Sequence, residues 1–264
     1  MKSTTGWTRR NFLAGSAAAA GWSLVGGSLP VATAAAAVKP PAGAIEIIRA
    51  DANFEREALI RPFGFKGGYM TEIWQTMAML ESAGGARKVG LCTQNVLWSD
   101  AKVFAGHSEA GGNALMFALS ERALQMTAGR SFNTPVDLLE GMLDELYDYG
   151  KHLTGSPHLR KTFALNALVG VDNAAWLLYA QEKGITNFDD LVPAAYRPAL
   201  SHRHEQVASI PLMAYSIPIS EIVEAVEQGY FFMKIKIGQP GTQQEMLEKD
   251  KARLSAIHEA IGQV

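Results

Sequence analysis

The sequence predicts two consecutive domains, an α+β domain followed by the start of an α/β domain. Strand-like apolar runs bounded by turn residues fill the chain before residue 100, and from Asn113 onward the apolar residues recur at helical spacing. Between residues 210 and 237, strand-like and helix-like segments alternate. Separate runs of strands and helices are typical of α+β folds, whereas strand, helix and strand in sequence favour a parallel sheet.

Three runs in the first region predict strands, over residues 45–50, 57–63 and 88–98. Glycines at positions 64, 67 and 68 predict a loop after the second run, and Gly84 and Gly85 predict a turn before the third. Residues 71–82 fit either a short helix or a continued strand, and both interpretations stay open.

Three helices are expected next. Leu115, Leu119 and Ala123 mark the first at helical spacing, and Pro135 starts the second, because proline is favoured in the first turn of a helix. The third covers residues 163–182 and ends at Gly184.

The following segment predicts a βαβ unit. Residues 210–215 and 231–238 are the two strands, and between them a helix over residues 221–228 begins at Ser220 and ends at Gly229. Residues 242–261 then predict an amphipathic helix. Two parallel strands and two helices leave sheet faces and edges uncovered, so we expect this chain to be the N-terminal piece of a longer protein.

Lys234 and Lys236 lie at positions i and i+2 of the second strand, so both side chains occupy one face. The parallel unit predicts that helices cover the other face and that the lysines point inward; the alternative is an edge strand with both lysines in water. Burial and mutual repulsion would lower the pKa of at least one lysine. A neutral lysine near pH 7 can abstract a proton.

The N-terminus predicts an export signal. Lys2, Arg9 and Arg10 form a positive start, residues 8–13 resemble a bacterial twin-arginine signal, and a weakly hydrophobic, alanine-rich stretch follows. We therefore assign residues 1–37 to a signal peptide and expect a periplasmic or exported protein. A membrane anchor is the alternative, although glycines interrupt the run, and we expect no stable membrane span elsewhere.

Composition excludes some functions. The 264 residues carry a net charge of −2 without a long basic run, which argues against a nucleic-acid partner. The single cysteine, Cys92, cannot form an internal disulfide and lies in an apolar run, so we expect a buried thiol.

His202 and His204 have the spacing seen in metal-dependent amidohydrolases, but they precede the strand and fit a linker better. No serine-hydrolase or nucleotide-binding motif is present.

Three segments resemble the mandelate racemase and muconate lactonizing branch of the enolase superfamily. They are the lysine strand at residues 232–238 (FMKIKIG), the helix at 250–257 (DKARLSAI) and the helix at 170–176 (GVDNAAW). Leu177 replaces an aspartate usual in the family, and residues 97–100 replace a G-x-G-E turn. The resemblance implies an α+β capping domain over residues 45–205 and the first part of a modified (β/α)8 barrel over 206–264.

The resemblance also implies a site and a chemistry. Lys236 matches the base that removes the proton α to a carboxylate, and Lys234 matches the neighbour that lowers its pKa and helps to bind the carboxylate. Phe65, Lys66 and Tyr69 correspond to a substrate-closing loop, or are ordinary hairpin residues. Mg²⁺ stabilises the enediolate in this superfamily, and its ligands lie on later strands, so we expect no metal ligand in this chain.

The expected function is a Mg-dependent racemase or epimerase acting on a small carboxylate, represented here by a catalytically inactive N-terminal portion. The alternatives are an acid-sugar dehydratase, a cycloisomerase, or a non-catalytic exported remnant or binding protein. We predict no metal-dependent racemase activity from material of this length. Members of this family are often homo-oligomers, so we expect the same of the complete protein.

Overall fold

A computed structural model describes residues 43–262, so the predicted signal peptide at residues 1–37 lies outside the described part of the chain. The first described element is a long antiparallel sheet. Its strands are β1 (Ile45–Phe65), β2 (Gly68–Ser82), β3 (Arg87–Gln94) and the short β4 (Ser131–Phe132), in the order β3-β2-β1-β4.

β1 is a single strand, so the prediction of separate runs at 45–50 and 57–63 is wrong. Its pairing with β2 extends from Ile47 opposite Ser82 to Phe65 opposite Gly68, with an irregularity between Ala58 and Phe63. Polar residues interrupt the apolar sequence pattern of β1. They remain in the strand because β1 forms cross-strand hydrogen bonds with β2. Residues 71–82 are strand, because buried and more exposed side chains alternate along β2 with the two-residue period of a sheet.

Six α-helices and one short 3-10 helix, Arg197–Leu200, follow within this first region of the described chain. The α-helices are α1 (Val96–Ser99), α2 (Ala101–His107), α3 (Glu109–Thr127), α4 (Pro135–Thr154), α5 (Lys161–Lys183) and α6 (Phe188–Leu191). The predicted strand over 88–98 ends early, because the Asn95 side chain accepts a hydrogen bond from the Trp98 N–H and caps α1. The predicted start at Pro135 and the stop at Gly184, which is left-handed, are confirmed.

α5 packs across the sheet and forms the centre of the main core. Its buried side chains include Phe163, Leu168 and Leu178, and Cys92 of β3 is buried beneath it, as predicted. Among the described helices, α5 alone is long and apolar enough to cross a membrane, and 56% of its apolar stretch is buried inside the protein. Such burial is typical of a core helix.

The last region contains β5 (Leu212–Met213), α7 (Ile219–Glu227), β6 (Lys234–Ile235) and α8 (Gln243–Ile261). β5 and β6 are parallel, so the predicted strand-helix-strand unit is present. Both strands are shorter than predicted, since their pairing is limited to Leu212 with Lys234 and Met213 with Ile235. Ser220 lies inside α7 rather than capping it, since Pro218 occupies the cap.

Candidate functional site

Strand pairing fixes the direction of the two lysines. Leu212 lies opposite Lys234 and Met213 opposite Ile235, so Lys234 and Lys236 share one face of the pair. Met233 and Ile235, on the other face, pack with α7 and α8 against Ile222, Ala225 and Ile257. The helices therefore cover the face opposite the lysines, as the βαβ interpretation predicts. Residues 43–262 contain only these two parallel strands and do not enclose a barrel lumen.

Lys236 is the more enclosed of the two lysines. Its side chain is half-buried and its Nζ lies 5.0 Å from the centre of the Phe65 ring, whereas Lys234 is exposed. Burial is the main cause that lowers the pKa of Lys236, and the nearby charge of Lys234 lowers it further. A lowered pKa increases the fraction of neutral amine at a given pH, which is the form that accepts a proton.

The turn between β1 and β2 brings the predicted loop residues over this strand. Phe65 is buried in a small cluster with Met70, Leu97 and Tyr215. Lys66 has a positive φ of 53° and donates from Nζ to the Trp98 carbonyl. Tyr69 stacks edge-on against Tyr215 with 6.0 Å between ring centres. The structure thus places Phe65 and Lys66 beside Lys236, while Tyr69 contacts the end of β5.

Gly238, which lies just after the lysine strand, forms hydrogen bonds with three other parts of the chain. Its carbonyl accepts a hydrogen bond from Gly67 N–H at 2.8 Å, and it also accepts one from the Tyr215 hydroxyl. Its N–H donates to Asp250 Oδ2 at 2.6 Å. With φ of +88°, this position suits glycine, because other L-residues rarely adopt that conformation.

Asp250 and Arg253 connect α8 to the ends of both parallel strands. Asp250 binds the Gly238 N–H, and Arg253 donates to the carbonyls of Ala214 and Ile217, after β5. These contacts hold the segment that carries Lys236. Sequence reasoning quoted Asp250 and Arg253 within a helix motif but gave them no role at the site, and it missed Tyr215 altogether. The sequence signal for Asp250 and Arg253 was their spacing of three residues, because that spacing puts both side chains on one helix face.

Two further contacts fasten β1 to the second region. Arg61 forms a bidentate ion pair with Glu221, at 2.7 and 2.8 Å, and the Ser216 hydroxyl donates to the Pro62 carbonyl at 2.8 Å. Gly64 lies close by, and a Cβ there would come within 2.3 Å of Tyr215. The absence of a side chain at Gly64 therefore allows Tyr215 to pack under the turn.

The described residues do not fit a metal centre. Within residues 43–262, no group of three or more His, Cys, Asp or Glu side chains is placed to hold an ion. His202 and His204 lie in an exposed segment before β5, with their rings packed edge-on 4.6 Å apart. The Asp250 carboxylate, which contacts the segment after the lysine strand, accepts its hydrogen bond from the Gly238 backbone N–H.

The elements of the two regions combine into a recognisable fold. An antiparallel sheet packed by helices precedes a parallel βαβ unit, and the hairpin turn of the sheet lies over the parallel strands. This is the fold of the N-terminal half of enolase-superfamily enzymes: a capping domain and the beginning of a modified barrel. The predicted fold class is confirmed.

Particular solved structures share this fold. One is L-talarate/galactarate dehydratase from Salmonella typhimurium LT2, at 20% identity over 89% of this chain and 53% of that chain, with a TM-score of 0.50. Another is a mandelate racemase/muconate lactonizing enzyme-like protein from Rubrobacter xylanophilus, at 20% identity over 81% of this chain and 50% of that chain, with a TM-score of 0.50. A dipeptide epimerase from Enterococcus faecalis V583, solved with Mg and L-Leu-L-Tyr, has 19% identity over 82% of this chain and 51% of that chain, with a TM-score of 0.49.

The present chain spans about half the length of the solved structures it matches. No family model matches the chain, and no curated protein matches it significantly.

Proposed function

We propose that this protein belongs to the racemase, epimerase and dehydratase enzymes of the enolase superfamily, and that the described region supplies the lysines with which such an enzyme binds a small carboxylate and abstracts its α-proton. We assign residues 45–205 to the capping domain and residues 206–264 to the start of the barrel. The observation that carries the proposal is Lys236, an amine with a lowered pKa beside Lys234 on the face opposite the covering helices.

The proposed roles follow from the two environments. In such an enzyme the neutral amine of Lys236 would take the α-proton, so the C–H bond would break, an N–H bond would form and the electron pair would move into the carboxylate to give an enediolate. Lys234, exposed and cationic, attracts the carboxylate through its charge. Phe65, Lys66 and Tyr69 line the approach from the hairpin turn as substrate-binding candidates.

Mg²⁺ is the cofactor that the resemblance implies, and it would stabilise the enediolate charge. The described residues do not fit a Mg²⁺ site, so the roles proposed here are confined to the lysines and the turn.

A labelling experiment tests this proposal. A neutral amine is nucleophilic, so limiting acetic anhydride should acetylate Lys236 faster than the exposed Lys251, and butyrate should protect Lys236 by occupying the carboxylate site. Peptide mass mapping measures both effects, and Lys251 is the matched internal control. Equal acetylation of the two lysines, with no protection by butyrate, would contradict the proposal.

Dehydration of an acid sugar is a second candidate reaction, favoured by the fold shared with the L-talarate/galactarate dehydratase. It begins with the same proton abstraction, so the two candidates differ only in the later step. Racemisation changes optical rotation without a change in mass, whereas dehydration removes one water from the substrate. Mass spectrometry of the product separates them.

We also propose export of the protein through the twin-arginine pathway. Arg9 and Arg10 support this proposal, because paired arginines followed by a weakly hydrophobic stretch are typical of such signals. A fusion to a reporter active only outside the cytoplasm should lose its signal when both arginines are replaced by lysine. An unchanged signal would argue against this route.

A further inference from the structure

A cavity of about 360 Å³ lies beside the hairpin turn, separate from the face that carries Lys234 and Lys236. It is lined by Lys66, Asp100, Ala101, Lys102, His158 and Arg160. These residues come from the β1–β2 turn, the start of α2 and the loop before α5. Three segments that are distant in sequence thus place three cations around one space.

The cations of this cavity lack carboxylate partners. None of the ion pairs found among residues 43–262 involves Lys66, Lys102 or Arg160. Lys66 donates one hydrogen bond, to the Trp98 carbonyl, and an ammonium group has three N–H donors. The charge of Asp100 attracts Lys66, but three cations outnumber this single carboxylate, so the lining remains net positive.

Asp100 is the one carboxylate in the lining, and its oxygens already accept hydrogen bonds from the protein backbone. Oδ1 accepts from the N–H groups of Lys102 and Val103, and Oδ2 accepts from the N–H of Arg160 at 2.9 Å. Asp100 is buried, with 2% of its surface exposed. It holds the cavity wall together and leaves the side-chain cations facing the open space.

Charge repulsion at Lys66 comes both from the cavity cations and from the lysine strand. Burial lowers the pKa of Lys66, the charges of Arg160 and then Lys236 lower it further, and the charge of Asp100 acts in the opposite direction. Lys66 and Arg160 line the same cavity, and Lys236 lies against Phe65, the residue that precedes Lys66. An anion in the cavity would reduce this repulsion, because it would offset the positive charges of the lining.

We propose that this cavity binds an anionic group, a carboxylate or a phosphate, and that it takes a second anionic group of the substrate whose first carboxylate lies at Lys234 and Lys236. The substrate class is then a dianionic acid; this second part rests on the proposed function. Lys102 and Arg160 are the specificity-determining residues, and Lys66 connects the two sites.

Calorimetric titration of the full chain at low ionic strength tests the proposal, since salt screens exposed charges. The titrants are inorganic phosphate, glutarate as a dicarboxylate, and butyrate as a monocarboxylate. The cavity variants are Lys102→Ala and Arg160→Ala, and the matched controls are Lys88→Ala and Arg49→Ala, outside the cavity. Circular dichroism melting confirms that all variants fold.

We expect phosphate to bind about fivefold more weakly to each cavity variant and unchanged to the controls, as for the loss of one exposed charged contact. Glutarate should bind more tightly than butyrate to the unsubstituted chain, and the cavity variants should lose that preference. Phosphate binding that is absent, or equally strong in all variants, would overturn the anion site. A phosphate effect without a glutarate preference would overturn the dianionic substrate.

Lys236→Ala separates this inference from the proposed function. If Lys236→Ala binds butyrate more weakly while the cavity variants bind phosphate and glutarate unchanged, the anion site is overturned. The proposed function then still stands. Weaker phosphate binding in the cavity variants with unchanged butyrate binding in Lys236→Ala would support the anion site and count against the proposed function.

Discussion

At the scale of single residues, Lys234 and Lys236 show how two identical side chains acquire different properties two positions apart. Lys234 is exposed, whereas Lys236 lies under the Phe65 ring and is half-buried. The turn that covers one lysine leaves the other in water. Because water solvates the covered ammonium less well than the exposed one, burial lowers the pKa of Lys236 and the charge of Lys234 adds to the effect.

This shift makes stability depend on pH in a defined direction. With a folded pKa below the unfolded one, the unfolded chain binds more protons between the two values, so the free energy of unfolding rises with pH in that window. Replacing Lys236 with the uncharged Met should therefore stabilise the protein at neutral pH, and the gain should fade as pH approaches 10.5, the ordinary lysine value. Denaturant unfolding at several pH values measures it. A gain that is independent of pH would contradict the assignment.

Gly90 illustrates a residue whose missing side chain determines packing. A Cβ at Gly90 would lie 2.1 Å from the Gly170 carbonyl oxygen and 2.3 Å from the Ala174 nitrogen, both backbone atoms of α5. Gly90→Ala should therefore push α5 away from β3 and destabilise the protein by about 1–3 kcal/mol. Gly106→Ala, in α2 with open space around it, is the control and should be neutral or slightly stabilising. Equal melting temperatures for the two variants would contradict this packing account.

At the scale of elements, the segment after β6 is held by α8. Asp250→Ala would leave the Gly238 N–H without its carboxylate partner, at a cost of about 1–3 kcal/mol. Asp250→Asn keeps a side-chain oxygen acceptor and should cost less. Thermal unfolding measures the difference, and faster amide exchange at Gly67 should accompany it, because Gly67 donates to the Gly238 carbonyl. If both variants melt alike, the hydrogen bond is not what holds this segment.

The elements that the sequence predicted well are those with strong local signals. Pro135 with the Thr134–Asp137 capping box, and Gly184 in a left-handed conformation, set the ends of α4 and α5 through contacts within a few residues. The boundaries of β1, β5 and β6 were predicted poorly, because strand ends depend on hydrogen bonds to a distant partner strand. Residues 71–82 could not be assigned, since the buried period of two appears only once β1 and β3 lie alongside.

The candidate site divides in the same way. The i and i+2 spacing of Lys234 and Lys236 predicted a shared face from local geometry alone. Local geometry could not predict the cover over Lys236, because Phe65 is far away in the chain, and only the family resemblance suggested that this turn lies near the site. Asp100 and Arg160 were missed for the same reason, since only folding brings the α2 start and the loop before α5 together.

At the scale of the whole molecule, Cys92 reports on the opening of the main core. The thiol is buried between β3 and α5, and burial raises its pKa, so reaction with a thiol reagent requires unfolding. We expect modification by a disulfide reagent at the rate of global unfolding and complete reaction in denaturant. The control is Cys92→Ala with Thr93→Cys, which moves the thiol to the exposed neighbour and should react at once. Rapid labelling of native Cys92 would show that the core opens locally.

The central claim is that the fold gives Lys236 a lowered pKa through burial under the hairpin turn and the nearby charge of Lys234. Carbon-13 NMR titration of reductively methylated lysines measures this pKa directly, with Lys88→Arg and Lys236→Arg variants to assign the signals. We predict that Lys236 titrates below the ordinary value of 10.5 and that Lys234→Met moves its pKa upward. A pKa of Lys236 at or above 10.5, or one that is unchanged in Lys234→Met, would contradict the account.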